Sequence, residues 1–216
     1  METSLVQKLL IACGILSPLL YLGTDWFAGK MLQGYSFTAQ SISELSADGS
    51  PTRLLVISLT LVAGLFMIAF GVGVWQVTDQ ALLPRIVSGL VIGNVVTGLV
   101  ATIFFPTHFG ERPIFGSTGV ILMFFSVLFF VLAMIVGALA FSGWLRILSI
   151  AIPSTYIFLA VLRFATATRS STGEVVSLVG EQERIMSYSF LFWVMALAIY
   201  LLLLITKGAD SANGIS

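Results

Sequence analysis

Apolar residues run almost unbroken through six stretches of this chain, at 5–27, 52–77, 83–105, 114–141, 144–164 and 185–206, with polar residues in the links between them. A helix rises ~1.5 Å per residue and the hydrocarbon core of a bilayer is ~30 Å thick, so ~20 apolar residues cross it. Each stretch reaches that length. The pattern predicts an all-α polytopic membrane bundle of six transmembrane helices. Transmembrane β-strands would show about ten residues of alternating polarity instead, and none of these stretches alternates.

The links differ in length. Those after the second and fourth spans are short, at 78–82 and 142–143, whereas those after the first and fifth cover 28–51 and 165–184. The link after the third, centred on 106–113, is intermediate. An even number of spans puts both termini on one side of the bilayer and the three longer links together on the other.

Composition sharpens this picture. Of 216 residues, 58% are hydrophobic and only 9% are charged, against roughly 25% charged in a soluble domain. So few charges cannot coat a water-facing surface, and the mean hydropathy is +1.06. The expected organisation is one transmembrane domain over 1–207 and a disordered polar tail over 208–216. Ten basic and ten acidic residues leave no net charge. That excludes a nucleic-acid partner, which needs a basic face, and leaves membrane lipids as the expected partners.

The single cysteine, Cys13, cannot form an intrachain disulfide. Leu10-Ile11-Ala12-Cys13 has the look of a lipoprotein cleavage box, but only four residues separate Lys8 from Cys13. A cleavable signal needs an apolar stretch of about 7–15, and the run continues to Phe27, as an uncleaved span does. The expected location is the plasma (inner) membrane with both termini cytoplasmic. Lys8, Arg85, Arg146 and Lys207 are then inside. Lys30, Arg53, Arg112, Arg163, Arg169 and Arg184 fall outside, against the simple Lys/Arg count. Those outer basics sit among acids, and several look built into helix ends rather than free to steer insertion.

Chemistry-bearing residues gather in the longer links. Ser41 followed by Glu44 forms a capping box, which predicts a short interfacial helix; the functional alternative points Glu44 into a cavity between helices. His108, the only histidine, lies near Glu111 and Arg112, but Pro106, Gly110 and Pro113 oppose a sustained helix there. Zinc takes three or four ligands, mostly His or Cys, so one of each predicts no metal site, and no cofactor is expected. Glu181 and Glu183 suit a helix N-terminus. Arg163 either snorkels to the headgroups or takes a buried partner among Glu44, Glu111 and Glu183, and Asp25 faces the same choice. In the third span Gly89 and Gly93 form a small-residue face for close helix approach, within the chain or to a second copy, and Asn94 is placed to hydrogen-bond across helices. The chain has no HExxH, GxSxG, P-loop or GxGxxG motif.

Three elements stand in a fixed order along this layout: Ser41-Ile42-Ser43-Glu44-Leu45 with Gly49-Ser50-Pro51, then Phe105-Pro106-Thr107, then Gly180, Glu183, Arg184, Ile185 and Trp193. The chain resembles the bacterial and archaeal membrane family catalogued as domain of unknown function 998. The resemblance covers nearly the whole chain and implies the six-span fold without supplying a function. It also implies a histidine near the start of the fourth span, where this chain reads Phe115-Gly116-Ser117-Thr118-Gly119.

The candidate ligand-binding residues are therefore Asp25, Glu44, His108, Glu111, Arg112, Arg163, Glu183 and Arg184. As a binding site they would receive a lipid or small amphiphile, with arginine pairing an anionic or zwitterionic head. As an embedded lipid hydrolase or transferase, Glu44 or Glu111 would be the base and Arg163 or Arg184 would steady the developing anion. A structural or assembly subunit is the third reading. The first two predict a cavity lined by Glu44, Arg163 and Arg184.

Overall fold

The computed structural model describes residues 5–78, 80–109, 116–167 and 179–213, and their side chains except at 159–167, 179 and 208–213. The elements are α1 (Leu5–Met31), α2 (Ile42–Leu45), α3 (Arg53–Val77), α4 (Leu82–Phe104), α5 (Thr118–Ala140), α6 (Gly143–Ala167) and α7 (Val179–Asn213). The only β pairing among the described residues is one isolated parallel bridge between Asp48 and His108. The predicted all-α membrane bundle is what forms. Helices α1, α3, α4, α5 and α7 are long and apolar enough to cross a bilayer, and α6 adds a shorter apolar stretch over Gly143–Phe158.

Helix boundaries depart from the apolar runs at several places. α1 continues past Phe27 to Met31, and α5 begins at Thr118 rather than at 114. One matters most: α7 begins at Val179, so Gly180 to Arg184 belong to the last helix and not to the link before it. α7 also stays helical through 208–213, into the stretch expected to be a tail. Hydropathy marks where apolar residues stop, whereas a helix stops where its backbone groups find other partners.

The helices pack in a ring. α1 lies against α3 and α7, α3 against α4, α4 against α5, and α6 between α5 and α7. Small residues permit the closest approaches: Gly14 of α1 lies under the Phe70 ring of α3, and Gly64 of α3 lies under Leu99 of α4. α5 and α6 form the tight hairpin expected at 142–143. Gly143 takes φ +65, a left-handed conformation that costs glycine little. Arg146 Nε closes the end of α5 by donating to the carbonyls of Ala138 (3.1 Å) and Phe141 (3.0 Å).

The two halves of the bundle are filled differently. Toward the termini, Ile11, Phe70, Val91, Met134, Trp193 and Leu197 make a packed core. Trp193 is fully buried and donates to Ser149 Oγ at 2.8 Å. Toward the long links several facing positions are small or polar, among them Ser17, Thr60, Ala63, Gly98, Ser126 and Ser187, beside larger apolar ones such as Met67 and Phe130. Large side chains fill one half, and small ones leave space in the other.

Candidate functional site

The first long link, from Leu32 to Thr52, folds down onto the N-terminal turns of α7. Its docking turns on one buried ion pair. Asp25, six residues before the end of α1 and so about 9 Å inside it, is 2% exposed, and Arg184 of α7 is 8% exposed. Arg184 Nε donates to Asp25 Oδ2 at 2.9 Å and Nη2 donates to Oδ1 at 2.9 Å. This is the bidentate geometry that makes arginine–carboxylate pairs strong. Tyr188, one turn beyond Arg184 on the same face, donates its hydroxyl to Asp25 Oδ2.

The rest of the guanidinium holds the link. Nη1 donates to the carbonyls of Phe37 (2.6 Å) and Gln40 (3.0 Å), with Gly180 O at 3.3 Å, and Nη2 donates to Tyr35 Oη at 2.6 Å. The cation also lies over the rings of Phe37 and Tyr35, at 4.8 and 5.5 Å from their centroids. A guanidinium has five N–H donors, and all five have acceptors within the chain. Arg184 is a structural clasp with no donor left for an anion.

Adjacent Glu183 does the complementary work. Its Oε2 accepts from the backbone N–H of Ile42 at 3.0 Å, at the start of α2, where a helix presents unsatisfied donors. Glu181 N–H in turn donates to Thr38 O at 3.1 Å. So α7 supplies donors to the link's carbonyls and an acceptor to the link's helix. Gly180 makes the fit possible, because a Cβ there would come 2.0 Å from Gln40 O and 2.7 Å from Phe37 O.

Tyr35 sits in this clasp, outside the membrane-spanning helices. Its hydroxyl donates to Ser41 O at 2.7 Å. Burial pushes its pKa up to about 12, against the opposing pull of the Arg184 cation. Between pH 10 and 12 the unfolded chain has lost this proton and the folded chain keeps it, so stability falls as pH rises through that window. An ultraviolet titration should show one tyrosine ionising near pH 12 that is missing in Tyr35→Phe. Ionisation of that residue near pH 10 would contradict the burial.

The predicted site residues separate into groups. Asp25, Glu183 and Arg184 meet. Glu44 instead bonds inside its own link: it accepts from Ser41 N at 3.2 Å and from Gln40 Nε2 at 2.8 Å. This is the capping box, and α2 starts where it predicts. His108 lies with Asp48, Nδ1 3.8 Å from Oδ2, and Arg53 is 3.9 Å from the same carboxylate. Asp48 N donates to Thr107 O (2.8 Å) and Phe109 N to Asp48 O (2.9 Å), which ties the first long link to the third. Glu111, Arg112 and the side chain of Arg163 lie outside the described residues.

Between α1, α3, α4, α5 and α7 lies a cavity of about 240 Å³. α2 covers it through Ile42 and Leu45, and Asp25 and Glu183 stand in its wall at that same end. Glu44 and Arg184 are not in the wall, so the expected lining is corrected on both. Glu44 is held by its own link, and Arg184 by Asp25 and the link's carbonyls. Deeper in the cavity, Asn94 Nδ2 donates to Ser126 O and Oγ, both at 2.9 Å, and Ser126 Oγ returns a bond to Asn94 O at 3.1 Å. That is the cross-helix bond expected of Asn94. Gly93 of the same helix approaches the Phe129 ring of α5, while Gly89 meets nothing within 4 Å. Among the described residues no three of His, Cys, Asp and Glu gather as metal ligands.

Tyr35, Phe37 and Tyr188 were not picked out from the sequence as site residues, and Gly180 entered only through the family element. A signal existed: Gly180, Arg184 and Tyr188 recur every fourth residue, on one face of a helix. Reading the span from Ile185 hid it.

A family model matches residues 15–200, which include every residue of the clasp and of the cavity wall. The chain belongs to the DUF998 family. Its family description is "Protein of unknown function". No curated protein and no solved structure matches this DUF998 chain. The three DUF998-like elements seen in the sequence converge here. The Ser41–Leu45 element forms α2, the Phe105–Thr107 element pairs with Asp48, and the Gly180–Ile185 element carries the clasp.

Proposed function

We propose that this DUF998 protein is a six-span membrane protein that binds a lipid or small amphiphile, with the chain of the ligand in the cavity under α2. The supporting observation is the cavity itself: largely apolar walls, with carboxylates at one end only. Apolar cavities stay dry and take apolar guests, and an apolar pocket with a few convergent polar groups is the usual form of a small-molecule site. At about 240 Å³ it lies below the roughly 300–1,000 Å³ of drug-sized pockets. It therefore suits one chain rather than a two-chain phospholipid. Among the described residues binding is better supported than catalysis, because Arg184 is fully engaged and Glu44 lies outside the cavity.

In this reading the chain lies in the plasma membrane with both termini cytoplasmic. Arg184 is paired with Asp25, and Arg53 donates to Ser46 O and lies near Asp48. Neither counts as a free cation for orientation, which weakens the opposing Lys/Arg count.

Thr60→Phe tests the reading, since Thr60 is in the wall and a ring there fills the space. Decanol should raise the melting temperature of the wild type in detergent and leave that of Thr60→Phe unmoved, while the ligand-free variant melts no lower than the wild type. Equal stabilisation of both by decanol would place the ligand elsewhere.

A further inference from the structure

We propose that the amphiphile carries a hydrogen-bond-donating, cationic head, of the alkylammonium class, seated on Glu183 beneath α2. This rests on the cavity being the binding site and adds what the head must be.

Donors in the wall are largely committed. Ser17 donates to Ala63 O, Thr24 to Leu20 O and Ser46 to Ser43 O. Asn94 and Ser126 spend theirs on each other. Tyr188 and all five N–H groups of Arg184 are used at Asp25 and the link. The free hydroxyls of Tyr21, Thr60, Thr102 and Ser187 accept as readily as they donate.

The acceptors at the α2 end are carboxylates. Asp25 has its counter-charge in Arg184. Glu183 has the backbone N–H groups of Ile42 and Ser43 at the start of α2, which offer bonds without a full charge, and the nearby Arg184 cation is already paired with Asp25. None of the described residues in the wall is Lys, Arg or His. A carboxylate facing an apolar space is poorly solvated, and the ligand that relieves this brings both N–H groups and positive charge. A phosphate, sulfate or carboxylate head would meet like charge and no available strong donor. The ammonium would lie beside Glu183 and Asp25, with its chain running past Asn94 toward Phe130.

The test uses the full-length protein in detergent and three probes of one chain length: decylammonium, decanol and decanoate, each below its micelle-forming concentration. Binding is read as the shift in melting temperature at increasing probe. Decylammonium should bind tightest and decanoate weakest. In Glu183→Gln, whose amide oxygen can still accept from Ile42 N–H, the preference for decylammonium over decanol should drop about tenfold, the size of one hydrogen bond to a charged group, whatever change the variant makes to the binding of both probes alike. Glu183→Asp should restore part of the preference, which separates lost charge from lost packing. Decanoate binding as well as decylammonium, or a preference unchanged in Glu183→Gln, overturns the ammonium assignment while leaving the cavity reading intact. If none of the three shifts the wild type, the cavity reading itself fails.

Discussion

Arg184→Leu is expected to cost roughly 3–5 kcal/mol of stability, the usual penalty for leaving one member of a buried ion pair without its partner. Asp25 would keep only the Tyr188 hydroxyl, and the carbonyls of Phe37 and Gln40 would lose their shared donor. Asp25→Leu should cost a similar amount by stranding the guanidinium. The double variant removes both charges, and its loss should be well below the sum of the two single losses, because contacting residues are not additive. Melting temperatures of the four proteins in one detergent give the coupling. Losses that simply add would mean the two side chains do not depend on each other, and the clasp would be refuted.

The second large effect is expected at Gly180. A methyl group there would meet two backbone carbonyl oxygens, the nearer at 2.0 Å, and backbone cannot rotate aside as a side chain can. Overpacking of this kind costs typically 1–3 kcal/mol. The link should lift from α7 in Gly180→Ala, and two amides report it by hydrogen exchange. Glu181 N–H, now bonded to Thr38 O, and Ile42 N–H, now bonded to Glu183, should lose protection. Gly89→Ala is the matched control. It too replaces a helical glycine, but nothing lies within 4 Å of the new methyl group, so stability should hold or rise by up to about 1 kcal/mol. Unchanged protection in Gly180→Ala would show that the link does not rest on this helix.

The bundle was legible in the sequence because spans declare themselves by length and apolarity, and those need no knowledge of neighbours. α2 was legible for a related reason: Ser41 and Glu44 carry their own local partners. The clasp was not. Gly180, Glu181, Glu183 and Arg184 lower the apolarity of their stretch, so the span reads as starting at Ile185 with the two acids suited to its N-terminus, yet all four are already helical because the folded link supplies their partners. A contact between residues 25 and 184 leaves no trace in either local segment. Glu44 misled in the opposite sense, since an acid in a polar link is as easily a cap as a ligand. The cavity is encoded only diffusely, as small residues on several helices that the fold brings to one level.

The clasp and the cavity are one arrangement. Asp25 faces both, Glu183 holds α2 while standing in the wall, and α2 is the roof. Loosening the clasp should therefore weaken whatever the cavity holds. The most direct test is native mass spectrometry of the wild-type protein released from mild detergent after purification from membranes. The account predicts one bound single-chain amphiphile per protein, lost in both Thr60→Phe and Gly180→Ala. A wild type that carries no such adduct and acquires none from added decylammonium or decanol would contradict it.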